Sequence, residues 1–257
     1  MSRTFVVARK EIRDHARDLR SLVSSAMMAL MGPGVVLLVS LSDRAPGQDG
    51  ARVLLGMLSV FALVSAFAGA IDIAMDSTAG ERERRSLLPL LLNPIPRSDV
   101  IVGKWIAVTA FALVALALNS LGVVAVLAWA APFLLVTRAQ QIVVWVVLGL
   151  VPLAALGAAV NLFVAVLCRT TKEAHTALRF LAFLPMLVGM FLVFFPSWTG
   201  RAWFLLPIVG QQTLIAVREP SAPVVQGAIL ALVTLVASVL PLVAASRVLN
   251  RDDILSA

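Results

Sequence analysis

The chain has 257 residues, of which 60% are hydrophobic and 14% charged, with a net charge of +7. A soluble domain is about 45–50% apolar and about 25% charged, so this balance excludes an ordinary soluble fold and points to an all-α polytopic membrane protein. The apolar runs are continuous rather than alternating, which excludes a membrane β-barrel.

The N-terminal segment places Phe5, Ala8, Ile12, Ala16, Leu19 and Val23 at helical spacing, with Arg9, Arg13, Arg17 and Arg20 off that stripe. This pattern predicts an N-terminal amphipathic interfacial helix over 1–21, lying on a membrane surface. The segment is too charged to supply the apolar stretch of a signal peptide, so the first span is expected to stay attached. Six transmembrane helices are expected, at about 22–41, 53–75, 101–130, 142–168, 177–196 and 224–247. The third is long for one crossing of the bilayer and should tilt or protrude.

Between the second and third spans lies ERERRSLLPLLLNPIPRS, Glu81 to Ser98. Thr78 and Glu81 have the T-x-x-E spacing of a capping box, which predicts a helix start there. Glu81 and Glu83 would then sit near its positive end, Pro94 and Pro96 would stop it, and Ser98 or Asp99 would cap the third span. From pattern alone, this charged and leucine-rich helix fits two roles equally: resting on lipid, or docking a soluble partner.

After the fifth span, residues 197–223 have an apolar middle broken by Pro207 and Gly210, followed by Gln211 and Gln212. The apolar parts are too short to cross a bilayer, so an extracytoplasmic re-entrant hairpin before the last span is expected.

Lys and Arg set the orientation. The N-terminal segment, the 76–104 loop, the 169–179 loop and the C-terminal tail together hold sixteen, against five on the other side. Both termini should therefore lie in the cytoplasm, with the chain in the inner (cytoplasmic) membrane. The same asymmetry accounts for the basic net charge without a nucleic-acid partner, since no basic module interleaved with aromatics lies outside the spans.

Polar groups inside the spans are few. Asp72, Asn119 and Asn161 are the pathway candidates, because buried polar groups in a membrane face an interior or a route across it. Asp72 shares a helix face with Asp76, and the competing role for both is a span-end cap or a pair with Arg84 or Arg169. The two asparagines also suit interhelical bonding. The fifth span adds Met186 and Met190 among Phe180, Phe183, Phe191, Phe194 and Phe195. Such a surface packs against lipid or neighbouring helices, yet it also adapts to varied apolar ligands.

Several chemistries find no support. Cys168 is the single cysteine, which leaves no intrachain disulfide and no thiolate metal cluster. Gly103-Lys104 is followed by Trp105 and lacks the upstream glycine of a phosphate loop. An intramembrane protease would need a catalytic pair within the spans, but His15 and His175 both fall in loops facing the cytoplasm. A secondary transporter or channel would show charged midplane sites or repeats. No catalytic, cofactor or metal residues are assigned.

Asp76 to Trp105, DSTAGERERRSLLPLLLNPIPRSDVIVGKW, resembles the signature loop of type-2 ABC exporter permeases, closest to the sodium-export and multidrug-export branch. VARKEIRDHARDLRSL, Val7 to Leu22, is similar to that family's interfacial helix, and LPIVGQQTLI, Leu206 to Ile215, to its extracellular hairpin. The resemblance implies a single transmembrane domain over 1–257 that forms the translocation path of an ATP-driven exporter. It implies a cytoplasmic coupling loop at 76–98 whose Glu81, Arg82, Glu83, Arg84 and Arg85 dock an ABC ATPase subunit. The partners would be two ATPase copies carrying ATP and Mg, a second permease copy (the same chain or a sister) and membrane lipid. The permease itself would not be an enzyme. An amphiphilic organic substrate is expected over sodium, because sodium needs oxygen ligands and the spans offer only Asp72 and two asparagines.

Overall fold

In the computed structural model, residues 3–42, 48–84, 96–195, 203–216 and 223–249 are described, and among them every regular element is helical. The elements are α1 (Arg3–His15), α2 (Leu19–Ser42), α3 (Gln48–Ala68), α4 (Ile71–Met75), α5 (Glu81–Glu83), α6 (Arg97–Ala130), α7 (Pro132–Val144), α8 (Val151–Leu167), α9 (Thr171–Phe194), α10 (Val209–Ala216) and α11 (Pro223–Leu249). Two π-helical stretches, Asp76–Gly80 and Trp145–Leu150, join α4 to α5 and α7 to α8.

Among the described residues, five helical stretches are long and apolar enough to cross a membrane: Val53–Glu83, Arg97–Ala130, Pro132–Leu167, Thr171–Phe194 and Val224–Leu249. Leu22–Leu38, inside α2, is a shorter apolar helix. The second and fourth stretches expected from the sequence form the centre. In their most apolar windows 78% and 67% of residues are buried, against 22% in α9 and in α11. Burial of Leu58, Leu63, Phe67, Val108, Leu153 and Leu162 makes the common core. Around it, α8 packs on α11, α3 and α6, α9 packs on α3, and α1 lies along α6.

Three expectations are corrected. The second span does not end near residue 75: after an interruption at Gly69–Ala70 it continues through the π-helical turn to Glu83. Thr78 therefore starts no helix, and its hydroxyl donates back to the Ala74 carbonyl at 2.6 Å. A true helix-starting T-x-x-E lies at Thr170, whose Oγ1 accepts from Glu173 N at 3.2 Å. The two patterns differ in what precedes them. Thr170 follows Cys168, which has extended backbone (φ −76, ψ 144), whereas Thr78 follows an unbroken helix.

Secondly, 131–141 is no loop. Ala131 (φ −151, ψ 61) makes the only sharp turn, and Pro132 opens α7 at the position where its missing N–H costs nothing. Arg138 and Gln141 look like loop residues, yet both bond to α10 carbonyls, as described below. Thirdly, Ser98 and Asp99 make no side-chain cap, since α6 starts at Arg97 after Pro96.

The face of α1 also differs from the expected stripe. Val7, Ala8, Glu11 and His15 are buried, whereas Phe5 is 50% exposed. A close crossing with α6 selects this face: a Cβ on Gly103 would stand 2.8 Å from Val7 Cβ, so only glycine lets the two helices approach. Of the hairpin at 197–223, residues 203–216 are described, with α10 after a turn in which Ile208 has φ 74. The leucine-rich part of the loop (85–95, with Arg85 and Pro94) lies outside the described residues.

Candidate coupling site

Among the described residues, Lys104 is the largest fully buried side chain, 1% exposed. A buried ammonium has three hydrogens to place and is costly unless each finds an acceptor. Here Nζ donates to Glu11 Oε1 at 2.9 Å, to Glu81 Oε2 at 2.8 Å and to the Ser77 carbonyl at 2.6 Å. One charge on α6 thus joins α1 to the end of the second span. Lys10, on the outer edge, lies 3.4 Å from Glu81 Oε1 and 3.6 Å from Glu11 Oε1.

A second layer lies beside it. His15 Nδ1 is 2.9 Å from the Glu11 carbonyl oxygen, and its Nε2 is 3.5 Å from Asp76 Oδ2. The His15 ring meets Phe111 of α6 edge-on, with centroids 6.3 Å apart. Asp76 receives Arg84 Nη2 at 2.5 Å, and Arg84 Nε donates to the Gly80 carbonyl at 3.2 Å.

The residues after Glu81 turn to other helices. Arg82 Nη1 donates to the Cys168 carbonyl at 2.9 Å, where α8 has just ended. Glu83 Oε2 accepts from the Thr171 N–H at 2.9 Å and from its hydroxyl at 2.7 Å, at the start of α9. A carboxylate there satisfies a free amide and faces the positive end of the helix dipole. Glu81, Arg82 and Glu83 therefore hold α6 and α1, then α8, then α9, in that order along the chain.

Of the five residues expected to dock an ATPase, Glu81, Arg82 and Glu83 are placed in these intrachain contacts. Arg84 is paired with Asp76 but 60% exposed at its side chain, and Arg85 lies outside the described residues. The pathway candidates are scattered. Asp72 accepts from Ser24 Oγ of α2 at 2.6 Å, while Asp76 makes the expected pair with Arg84. Asn119 Nδ2 donates to the Ala29 carbonyl at 2.8 Å, and Asn161 Nδ2 to the Phe67 carbonyl at 2.9 Å, so both link helices. Met186 and Met190 are half-buried on α9, while Phe180, Phe183, Leu187 and Phe194 stand exposed along it.

Glu11, His15, Asp76 and Lys104 are the members of this site that sequence patterns passed over as site residues. A visible signal was Glu11, the one glutamate of the basic helix, four residues before His15; Lys104, at the start of the third span, gave none.

At the far end of the bundle, α10 is held by side chains of α7 and the second π-helical stretch. Gln141 Nε2 donates to the Leu214 carbonyl at 3.0 Å, Arg138 Nη1 to Ile215 at 3.4 Å, and Trp145 Nε1 to Gln211 at 2.8 Å. The buried amides are also paired: Gln211 Nε2 donates to Thr234 Oγ1 at 3.0 Å and Gln212 Nε2 to Ser59 Oγ at 2.9 Å.

Residues 5–254 match the family model described as ABC-2 family transporter protein. The chain belongs to that family. Across 186 residues it is 31% identical to the ABC transporter permease protein NatB of Bacillus subtilis (strain 168), covering 67% of this chain and 46% of that relative. It is also 28% identical over 109 residues to the probable ABC transporter permease protein NosY of Stutzerimonas stutzeri, covering 41% of this chain and 38% of that protein. The matched stretches thus span less than half the length of these curated relatives. As an ABC-2 family member with several apolar helices of bilayer length, the chain is a multi-pass membrane protein.

Proposed function

We propose that this chain is the permease subunit of an ATP-driven exporter, coupled to a separate ATPase subunit through the segment that begins at Asp76. The observation that supports this most is the fixing of Glu81, Arg82 and Glu83 to four helices at once. A push on this segment reaches α1, α6, α8 and α9 through charge-assisted bonds, which are the strong class of hydrogen bond. Arg84 follows directly, with its side chain 60% exposed, and Arg85 is the next basic residue in the sequence.

In this reading α2 is the first of six spans, α1 lies at the cytoplasmic surface with both termini on that side, and α10 belongs to a re-entrant hairpin at the opposite face. Two permease copies, alike or sister chains, enclose the path, and two ATPase copies supply ATP and Mg. The exposed Phe and Leu face of α9, with Met186 and Met190 beside it, favours an amphiphilic organic substrate over sodium.

The test is reversal of both Arg84 and Arg85 to Glu, followed by co-purification with a co-expressed ABC ATPase subunit. Because Arg84 also pairs with Asp76, an Asp76→Asn variant serves as the comparison for loss of that pair alone. The double reversal should detach or uncouple the ATPase, and Asp76→Asn should retain it. A double reversal that co-purifies normally and keeps substrate-stimulated hydrolysis would overturn the docking role.

A further inference from the structure

His15 occupies a position that a neutral imidazole cannot satisfy. The Glu11 carbonyl oxygen, 2.9 Å from Nδ1, can only accept, so Nδ1 must carry a hydrogen. In the neutral ring that leaves Nε2 as a bare lone pair, buried and 3.5 Å from the Asp76 carboxylate. Two acceptors then face one donor. Adding a proton to Nε2 turns a repulsive approach into an ion pair and gives both ring nitrogens a partner.

The surrounding charges favour the same state. From α1, Glu11 Oε2 lies 3.8 Å from Nδ1, with Lys10 and Asp14 farther out. The second span presents Asp76, with Arg84 behind it, and Glu81. From α6 come Lys104, through Glu11, and the edge of Phe111. Among the described ion pairs of this cluster, three cations (Lys10, Lys104, Arg84) join four carboxylates (Glu11, Asp14, Asp76, Glu81), and a charged imidazole would add a fourth cation.

We propose that His15 is a proton-binding site whose occupancy latches α1 to the Asp76–Arg84 segment, so that the hold between them weakens as the pH on that side rises. The proposal rests on the coupling role given to that segment, which makes the proton a regulator of it. Burial by itself would lower the His15 pKa. The Asp76 carboxylate, the Glu11 carbonyl and the Glu11 charge outweigh burial and raise it above the ordinary 6.5. The sign follows: the stabilisation is fully present below 6.5 and is lost as pH climbs through the raised value.

The test uses the purified full chain in nanodiscs, with His175→Asn so that His15 is the single imidazole. Its titration is followed by nitrogen NMR, and hydrogen exchange of the α1 amides is measured between about pH 5.5 and 8.5, corrected for intrinsic rates. His15 should titrate above 6.5, and Asp76→Asn should lower that value. Protection of α1 should fall by up to about tenfold per pH unit between the two pKa values, and should be flat with pH in His15→Gln. A titration at or below 6.5, no response to Asp76→Asn, or pH-independent protection in the parent chain would each overturn the latch. If His15→Gln fails to assemble, the titration of the folded parent decides alone. None of these readouts involves an ATPase, so failure of the latch and failure of ATPase docking by Arg84 and Arg85 are separate results.

Discussion

Replacing Lys104 by Met removes a charge while nearly keeping the length and volume of the side chain. What remains is a pair of carboxylates, Glu11 at 3% and Glu81 at 13% side-chain exposure, and a Ser77 carbonyl without its donor. Breaking a buried ion pair by removing one partner costs about 3–5 kcal/mol, chiefly because the other charge stays buried and uncompensated. Lys10 can relieve part of this. It is 3.4 Å from Glu81 Oε1, but at 53% exposure its pull is weakened by solvent, so the loss should sit near the lower end, about 3 kcal/mol.

The comparison that isolates the mechanism is charge balance. Glu11→Gln alone leaves Lys104 paired with Glu81 and should cost less than Lys104→Met. Adding Glu11→Gln and Glu81→Gln to Lys104→Met removes every unpaired charge and should recover much of the loss. Stability is read from unfolding midpoints of the detergent-solubilised chain, with the variants treated as a cycle. A Lys104→Met protein within about 1 kcal/mol of the parent, or a triple variant no better than the single one, would refute the argument that this charge is held by its partners.

Gly157 packs on the backbone of the second span, where a Cβ would stand 2.4 Å from the Phe67 oxygen. Gly157→Ala should therefore destabilise by about 1–3 kcal/mol, and an unfolding midpoint unchanged from the parent would contradict it. With Cys168 replaced, single cysteines at Gln48 and Lys172 should label from opposite sides with an impermeant thiol reagent; Lys172 labelling from outside intact cells would overturn the six-span topology. Asp72→Asn keeps an acceptor for Ser24, so an exporter of amphiphiles should retain most of its activity. Loss of sodium efflux in an assembled, ATPase-bound Asp72→Asn protein would reverse the substrate assignment.

What could be read from the sequence followed from one-dimensional signals. Continuous apolar runs located the helices of the bundle, and the G-E-R-E-R run marked the segment whose side chains bond to α1, α6, α9 and the end of α8. The errors arose where a distant partner decides. Arg138 and Gln141 look like loop residues until α10 supplies carbonyls for them to bond. Phe5 belongs to the better apolar stripe of α1, but the small surface at Gly103 and the charge of Lys104 turn Val7 and Glu11 inwards instead. Thr78 and Thr170 carry the same T-x-x-E spacing. They differ only in the backbone before them, which tertiary packing controls. Lys104 itself was invisible as a site residue because a lysine within an apolar span reads as a span end, until Glu11 and Glu81 are seen to meet it.

The second span is built in two parts, and the division bears on how the site could act. A continuous helix resists bending because each residue is tied four residues back; an interruption concentrates bending at one place. That place is Gly69–Ala70, where Asn161 takes the Phe67 carbonyl and Gly157 allows α8 to lie against the Phe67 backbone. The residues that this span gives to the ionic site, from Asp76 to Arg84, all lie on the far side of this interruption. Along the span, then, a displacement of that segment meets a compliant point anchored to α8. Across the bundle it meets direct bonds, including the two from Glu83 to the first residue of α9. If the charged segment couples as proposed, it therefore has a directly bonded route sideways into α9, the helix that carries the exposed Phe and Leu face, besides the route up the helix to which it belongs.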